Sequence, residues 1–326
     1  MGTRHLRLLA VTAITAVVLA ACGGDDDGGG AGVAAGTTVT TAARATTTTG
    51  RPAPATTTPA TPGRVEDVPD GGYPYQVALL DVTITDDNGE PVRTDAERQF
   101  CGGSLIDPGH VLTAAHCLYD EGGEVPFDPV EDGRVVVGRT VLNSSQGQRR
   151  RIAAFKRHPR YSGQGVAYDV AVITLDRPVT GIEPVGLVAA GDTSLLRVGA
   201  TATFTGWGDA RTRRDGQEDQ GRTRDRMKAA HVPLVSGQSC ASAYARSRYP
   251  LSDPALMVCT GTAAGIGHCL GDSGGPLVLE RNGSPVQVGV VSQAIGCGDR
   301  RYPSVYARLA NGSVNAFVRA AVGGSG

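Results

Sequence analysis

Three residue types able to carry out acyl transfer occur in order along this chain. His116 stands in Leu112-Thr113-Ala114-Ala115-His116-Cys117, and Asp169 in Tyr168-Asp169-Val170-Ala171-Val172. Ser273 stands in Gly271-Asp272-Ser273-Gly274-Gly275-Pro276. A serine hydroxyl attacks a carbonyl usefully only when a base removes its proton during attack. Histidine suits that task because its ordinary pKa lies near the working pH. A buried carboxylate on the second ring nitrogen fixes the tautomer and stabilises the imidazolium. An oxyanion then forms and needs preorganised N–H donors, for which Gly271 and Ser273 are the natural pair. Losing one such donor costs about 2.7–4 kcal/mol of transition-state stabilisation. Gly271 and Gly274 lack a Cβ, so the chain can turn tightly and a substrate can come close.

Each piece has a plainer reading. Gly-Asp-Ser-Gly is an ordinary turn sequence in which Asp and Ser bond their own backbone. His116 beside Cys117 fits a structural residue or a metal ligand, and Asp169 fits a strand entry. The order and the flanks together favour the catalytic reading.

The elements that would hold these residues read as strands. Short apolar runs such as Val135-Val136-Val137 and Val286-Gln287-Val288-Gly289-Val290-Val291 alternate with Gly/Pro/Asp clusters. Helical periodicity is absent until the C-terminus, so the chain is expected to be all-β. Residues 64–326 are enough to bury a substantial core. The net charge of −1 gives no reason to expect nucleic acid. Lys156 and Lys228 are the two lysines, so positive charge is nearly all Arg, a compositional bias rather than a binding surface. The stretch Arg211 to Arg226 carries no apolar side chains and reads as a solvated loop near the cleft, open to nicking.

Cysteine use points to export. Cys101, Cys117, Cys240, Cys259, Cys269 and Cys297 suit disulfides of an oxidising compartment. Zinc is the rival, but no C-x-x-C pair occurs and no metal site is expected. Arg4 and Arg7 precede an apolar stretch, Leu8 to Ala21, too short for an ordinary membrane span. Residues 1–21 therefore read as a signal peptide. They end in Leu19-Ala20-Ala21-Cys22, which resembles a bacterial lipobox and implies lipid on Cys22. Several acyl chains would anchor the protein to the membrane, whereas one binds only marginally. A plain secretory signal is the alternative. Residues 22–63, rich in Gly, Thr, Ala and Pro, cannot bury a core and read as a disordered tether.

From Tyr73 to Val322 the chain resembles the chymotrypsin-like, trypsin-fold serine peptidases. Tyr73-Pro74-Tyr75-Gln76-Val77 resembles the first strand, and Phe100 to Ile106 the strand leading to the His116 loop. Gly206-Trp207-Gly208 opens the second half. Val290-Val291-Ser292 resembles the strand that pairs with substrate, and Pro303-Ser304-Val305-Tyr306 a specificity-pocket wall. Asn311 to Val322 resembles the C-terminal helix, with Val314, Phe317, Val318 and Val322 at helical spacing. The resemblance implies two antiparallel six-stranded β-barrels with that helix, and disulfides Cys101–Cys117, Cys240–Cys259 and Cys269–Cys297. It also implies a serine endopeptidase that needs no cofactor and acts as a monomer on peptide substrate.

Two departures from the family pattern stand out. A family cut frees an amine that pairs with the aspartate before the serine, here Asp272. Arg64-Val65 offers a plausible cut and Val65 the new terminus, but the usual glycine pair is missing. The second departure is the pocket for the side chain before the cut bond. Gly267 stands where trypsin-like enzymes carry an aspartate, so no preference for Arg or Lys is expected. Ala294 and Ser304 replace wall glycines, and Gln293 a tryptophan, which predicts a shallow pocket for a small or medium uncharged side chain. His268 with Ser304 could instead bind an acid or amide, or His268 could be a plain wall residue. Ser292, Gln293 and Ala294 are expected to pair with substrate backbone. A non-catalytic binding module is the runner-up. The six-cysteine framework argues against a solute-binding lipoprotein, and the absence of Gly-x-Ser-x-Gly against an esterase elbow.

Overall fold

The computed structural model describes residues 61–119, 127–163, 165–208, 224–247, 249–251, 253–262 and 264–323. The expected signal peptide, Cys22 and nearly all of the expected tether lie outside these residues, as does most of the Arg211–Arg226 stretch.

The strands follow the apolar runs. They are β1 (Arg64–Asp67), β2 (Gln76–Asp81), β3 (Gln99–Asp107), β4 (His110–Thr113), β5 (Gly133–Val137), β6 (Gln148–Arg157) and β7 (Ala171–Leu175). There follow β8 (Gly186–Leu187), β9 (Thr201–Gly206), β10 (Lys228–Val235), β11 (Met257–Thr260), β12 (Pro276–Arg281), β13 (Ser284–Gln293) and β14 (Ser304–Arg308). Strands β2-β3-β4-β7-β6-β5 close into one six-stranded antiparallel barrel. Strands β10-β11-β14-β13-β12-β9 form the second, closed by the β9–β10 pairing. Closure satisfies backbone groups that open edges would leave exposed. β1 lies along β10, and the short β8 runs parallel to β13.

Local chemistry sets the hairpins. Asn282 and Gly283 both take positive φ, +53° and +77°, between β12 and β13. That is the type I′ geometry whose twist matches the flanking strands. The expected first strand begins at Gln76 rather than Tyr73, because Tyr73 turns the chain with φ +49°.

Inward-facing residues of both barrels, among them Val77, Leu79, Leu105, Val137, Ile173, Phe204, Leu277 and Val290, form one continuous buried cluster. Burying one such side chain contributes about 1.5–3 kcal/mol. Polar bonds cross between barrels as well. Ser104 Oγ donates to Gln287 Oε1 at 2.7 Å, and Thr205 Oγ1 to Gln76 Oε1 at 2.6 Å. All four residues are buried, which fixes one barrel's position against the other.

Three helices complete the described residues. α1 (Asp95–Arg98) carries a Thr94/Glu97 capping box. α2 (Gly237–Tyr244) was not expected from the sequence. It is short and shows only Cys240 and Tyr244, spaced i,i+4, as a buried stripe. α3 (Gly312–Gly323) matches the expected C-terminal helix. It buries Val314, Asn315, Val318 and Ala321, while Phe317 is partly buried and Val322 lies at the margin. Asn315 replaces an apolar contact by donating to the carbonyls of Val188 and Leu309.

Candidate active site

Turns at strand ends carry the candidate residues. His116 sits in a 3-10 turn, Ala115–Cys117, just after β4. Asp169 lies two residues before β7, and Ser273 three residues before β12. The antiparallel β4–β7 pair, with Thr113 opposite Ala171, brings the first two together.

His116 Nδ1–H donates to Asp169 Oδ2 at 2.8 Å, and the His116 backbone N–H donates to Asp169 Oδ1 at 2.9 Å. Ser292 Oγ donates to Asp169 Oδ2 at 2.5 Å. Asp169 is 1% exposed, so its charge has little access to water. Burial alone would raise its pKa, but the His116 charge and these hydrogen bonds outweigh it and hold the carboxyl below its usual value. Burial likewise opposes the imidazolium of His116, whereas Asp169 favours it, and the net effect raises the pKa above the ordinary histidine value. With its Nδ1 proton held by Asp169, His116 has Nε2 left to accept a proton. Its side chain remains 31% exposed.

His116, Asp169, Ser273 and Ser292 line one cleft of about 740 Å³. Ser273 Oγ makes no hydrogen bond to His116 in this structure. Such bonds commonly tighten only when substrate is bound.

The turn before Ser273 is shaped by glycine. Asp272 N–H bonds Cys269 O at 3.0 Å, and Gly271 has φ +89°, which an L side chain rarely adopts. The Gly271 and Ser273 N–H groups have no acceptor among the described residues, so both can serve an incoming oxyanion. The turn is anchored from behind. Gln99 Nε2–H donates to Gly271 O at 2.7 Å, and Gly102 N–H to Ser273 O at 2.6 Å. Asp272 is buried and accepts from Gly208 N–H at 2.8 Å and Cys269 N–H at 2.9 Å. Gly206 and Gly208 flank this carboxylate so closely that a Cβ at either would collide with it.

The structure does not bring Val65 to Asp272. Val65 lies in β1 opposite Ala230, and its nitrogen is an ordinary amide. Glu66 pairs with His231, Asp67 with Lys228, and Asp70 with Arg226, which clamps this segment along β10.

The candidate specificity residues cluster beside the turn. A Cβ on Gly267 would meet Ser304 Oγ at 2.6 Å and Gly298 Cα at 3.0 Å, so the position has no room for a side chain. Ser304 Oγ is buried without a hydrogen-bond partner. His268 Nε2–H faces Val305 O at 3.3 Å, and its ring packs edge-on to Tyr306 and Phe204. Burial, only partly countered by the Val305 carbonyl, pushes its pKa down to about 4. The imidazole is therefore neutral near pH 7. Gln293 and Ala294 line the cleft mouth, with Gln293 Nε2–H donating to Tyr249 O at 3.4 Å. The sequence reading missed Tyr119, Tyr161, Tyr249 and Leu270, which also line the cleft. Tyr249 and Leu270 are exposed apolar side chains, a property only the folded surface reveals.

Cys101–Cys117, Cys240–Cys259 and Cys269–Cys297 are joined as disulfides. The first braces the His116 turn and the last the pocket beside Ser273. Among the described residues, one grouping of metal-ligand type occurs, Cys101, His116 and Cys117. Both sulfurs are already in a disulfide, so neither can offer a thiolate.

Two six-stranded barrels, with a His–Asp pair and a serine lining one cleft, define a serine hydrolase of the two-barrel type. Residues 64–317 match the family model described as Trypsin. The chain is 35% identical over 245 residues to a trypsin of Saccharopolyspora erythraea, covering 75% of this chain and 91% of the relative. It is 34% identical over 242 residues to transmembrane protease serine 9 of Rattus norvegicus, covering 74% of this chain and 20% of that protein. It is 30% identical over 218 residues to glucanase inhibitor protein 3 of Phytophthora sojae, covering 65% and 76%. The chain belongs to the trypsin family and is a serine endopeptidase.

Proposed function

We propose that His116, Asp169 and Ser273 cleave peptide bonds through an acyl-enzyme. The Ser273 hydroxyl proton passes to His116 Nε2 as Oγ bonds the substrate carbonyl carbon. The oxyanion takes the Gly271 and Ser273 N–H groups. His116 then protonates the departing amine, the C–N bond breaks, and acyl-Ser273 remains. Water gives a proton to His116 and attacks the ester, and the returned proton restores Ser273. The observation that carries this reading is the Ser292–Asp169–His116 hydrogen-bond set on the cleft that Ser273 lines. A fluorophosphonate probe should label the protein, and labelling should vanish in Ser273→Ala. Labelling that survives this change refutes the assignment.

The pocket residues support an uncharged side chain before the cut bond, since neither Gly267 nor neutral His268 supplies a charge. A peptide-library digest dominated by cleavage after Arg or Lys would overturn this. Substrate backbone lies along Ser292 to Ala294 by β-pairing. The enzyme acts outside the cytoplasm, tethered through lipid on Cys22 or released by a cut in the linker. Metabolic labelling with palmitate, lost in Cys22→Ser, tests the anchor. Cleavage at Arg64–Val65 belongs to the same proposal. It frees an amine at Val65 for Asp272 once β1 leaves β10, and the N-terminus of active protein decides it.

A second reading, protein binding on this fold, draws on the name of the Phytophthora relative, a glucanase inhibitor. Failure of the fluorophosphonate to label the intact protein would favour it.

A further inference from the structure

Tyr168, the residue before the catalytic carboxylate, is one of three described non-glycine residues with positive φ, at +60°. A bulky L side chain disfavours this left-handed conformation and keeps it only when its surroundings enforce it. The surroundings here are aromatic and cationic. The His158 ring stacks on the Tyr168 ring, with centroids 4.6 Å apart and planes 18° from parallel. The Arg160 guanidinium lies 4.2 Å from the same ring centroid. His158 is itself fixed. Its backbone N–H donates to Val170 O at 3.0 Å, just past Asp169. Its Nδ1 accepts from Arg160 N–H at 3.2 Å, which leaves Nε2–H for Ser313 Oγ at 3.2 Å. Phe317 of α3 packs edge-on against it at 5.0 Å. Val170 N–H closes back on Tyr168 O at 2.7 Å, so Asp169 sits at the apex of a tight turn whose entry is set by Tyr168.

We propose that Tyr168 is a positioning residue: its ring, held by His158 and Arg160, locks the left-handed backbone that aims Asp169 at His116. The C-terminal helix thereby supports the catalytic base through Ser313, His158, Tyr168 and Asp169. This inference rests on the triad reading above.

The test is a double-mutant cycle on the full chain, with kcat, KM and the pH profile of kcat measured for each variant. Tyr168→Phe keeps the ring and should stay within about 2-fold of the parent. Tyr168→Ala should lower kcat by about 10²-fold, the scale of a small misplacement of a catalytic group, with KM little changed. The acid limb of its profile should move down toward the ordinary histidine value, because Asp169 no longer faces His116 squarely. In an Asp169→Asn background the same Tyr168→Ala change should have little further effect on kcat, since the group it aims has been removed. Equal losses in both backgrounds, or an acid limb that does not move, would show a merely structural role and overturn the proposal. If Tyr168→Ala does not fold, Tyr168→Leu takes its place, because Leu fills part of the space but disfavours positive φ and offers no ring to His158 and Arg160. Full kcat in Tyr168→Leu likewise overturns it. Undiminished kcat in Asp169→Asn alone instead refutes the triad reading, a separate and recognisable failure.

Discussion

Ser292 Oγ and His116 Nδ1 share one acceptor, Asp169 Oδ2, at 2.5 Å and 2.8 Å. One oxygen of a buried carboxylate thus joins β13 of the second barrel to the histidine turn of the first. The carboxylate that orients the candidate base is thereby braced from both barrels.

Removing one of these donors should therefore show in the base. Ser292→Ala leaves Asp169 with a single partner on Oδ2, and the carboxylate becomes more basic. Its pull on the His116 proton strengthens, so the acid limb of kcat/KM should shift upward. Loss of a hydrogen bond to a buried charge should also lower unfolding free energy by about 1.5–3 kcal/mol, read from denaturant melts. A downward shift of the limb would count against this arrangement.

The pH dependence of the parent enzyme follows from the raised His116 pKa. Catalysis needs the neutral imidazole, so activity should fall as pH drops through a value above the ordinary histidine pKa of about 6.5. Asp169→Asn removes the charge that raises it. The limb should move below that of the parent, and kcat should fall by about 10⁴-fold.

Gly271 holds its turn at φ +89° and offers one of two free N–H groups. Gly271→Ala should strain the turn by about 1–3 kcal/mol and displace that donor. We expect kcat to drop by about 10²-fold or more, while fluorophosphonate still labels Ser273 slowly. Wild-type kcat in this variant would exclude Gly271 from oxyanion binding.

Gly267 and Ser304, both proposed to shape the specificity pocket, form a tight steric pair. Gly267→Asp alone should destabilise the protein and gain no cleavage after Arg, because Ser304 Oγ occupies the space the new side chain needs. Combined with Ser304→Gly, the closest clash is removed and only the Gly298 backbone at 3.0 Å must give, so cleavage after Arg or Lys should appear in a peptide-library digest. A gain of that cleavage in the single variant would show the pair to be less tight than its geometry indicates.

Much of the site is legible in the sequence because its chemistry is local. Glycines at 271 and 274 mark a turn that other residues resist, and Asn282-Gly283 marks a hairpin. Alternating and continuous apolar runs mark strands, and the six cysteines mark a disulfide framework. Helix α2 escaped notice because eight residues with a two-residue stripe give too little periodicity. Residue order alone does not decide whether His268 is a ligand or a wall residue, because its facing carbonyl, Val305 O, lies 37 residues away.

Residue types make available a base, a carboxylate, a nucleophile and glycines for a tight turn, because these depend on side-chain chemistry and short-range backbone freedom. Tertiary structure alone decided how they face one another. The His116–Asp169 and Ser292–Asp169 bonds span separations of 53 and 123 residues, and Val65 is held in a ladder with Ala230. Such contacts arise only when two barrels close and pack. No local pattern can therefore show that Ser304 fills the space beside Gly267, or that Tyr168 is held in a conformation its own side chain disfavours.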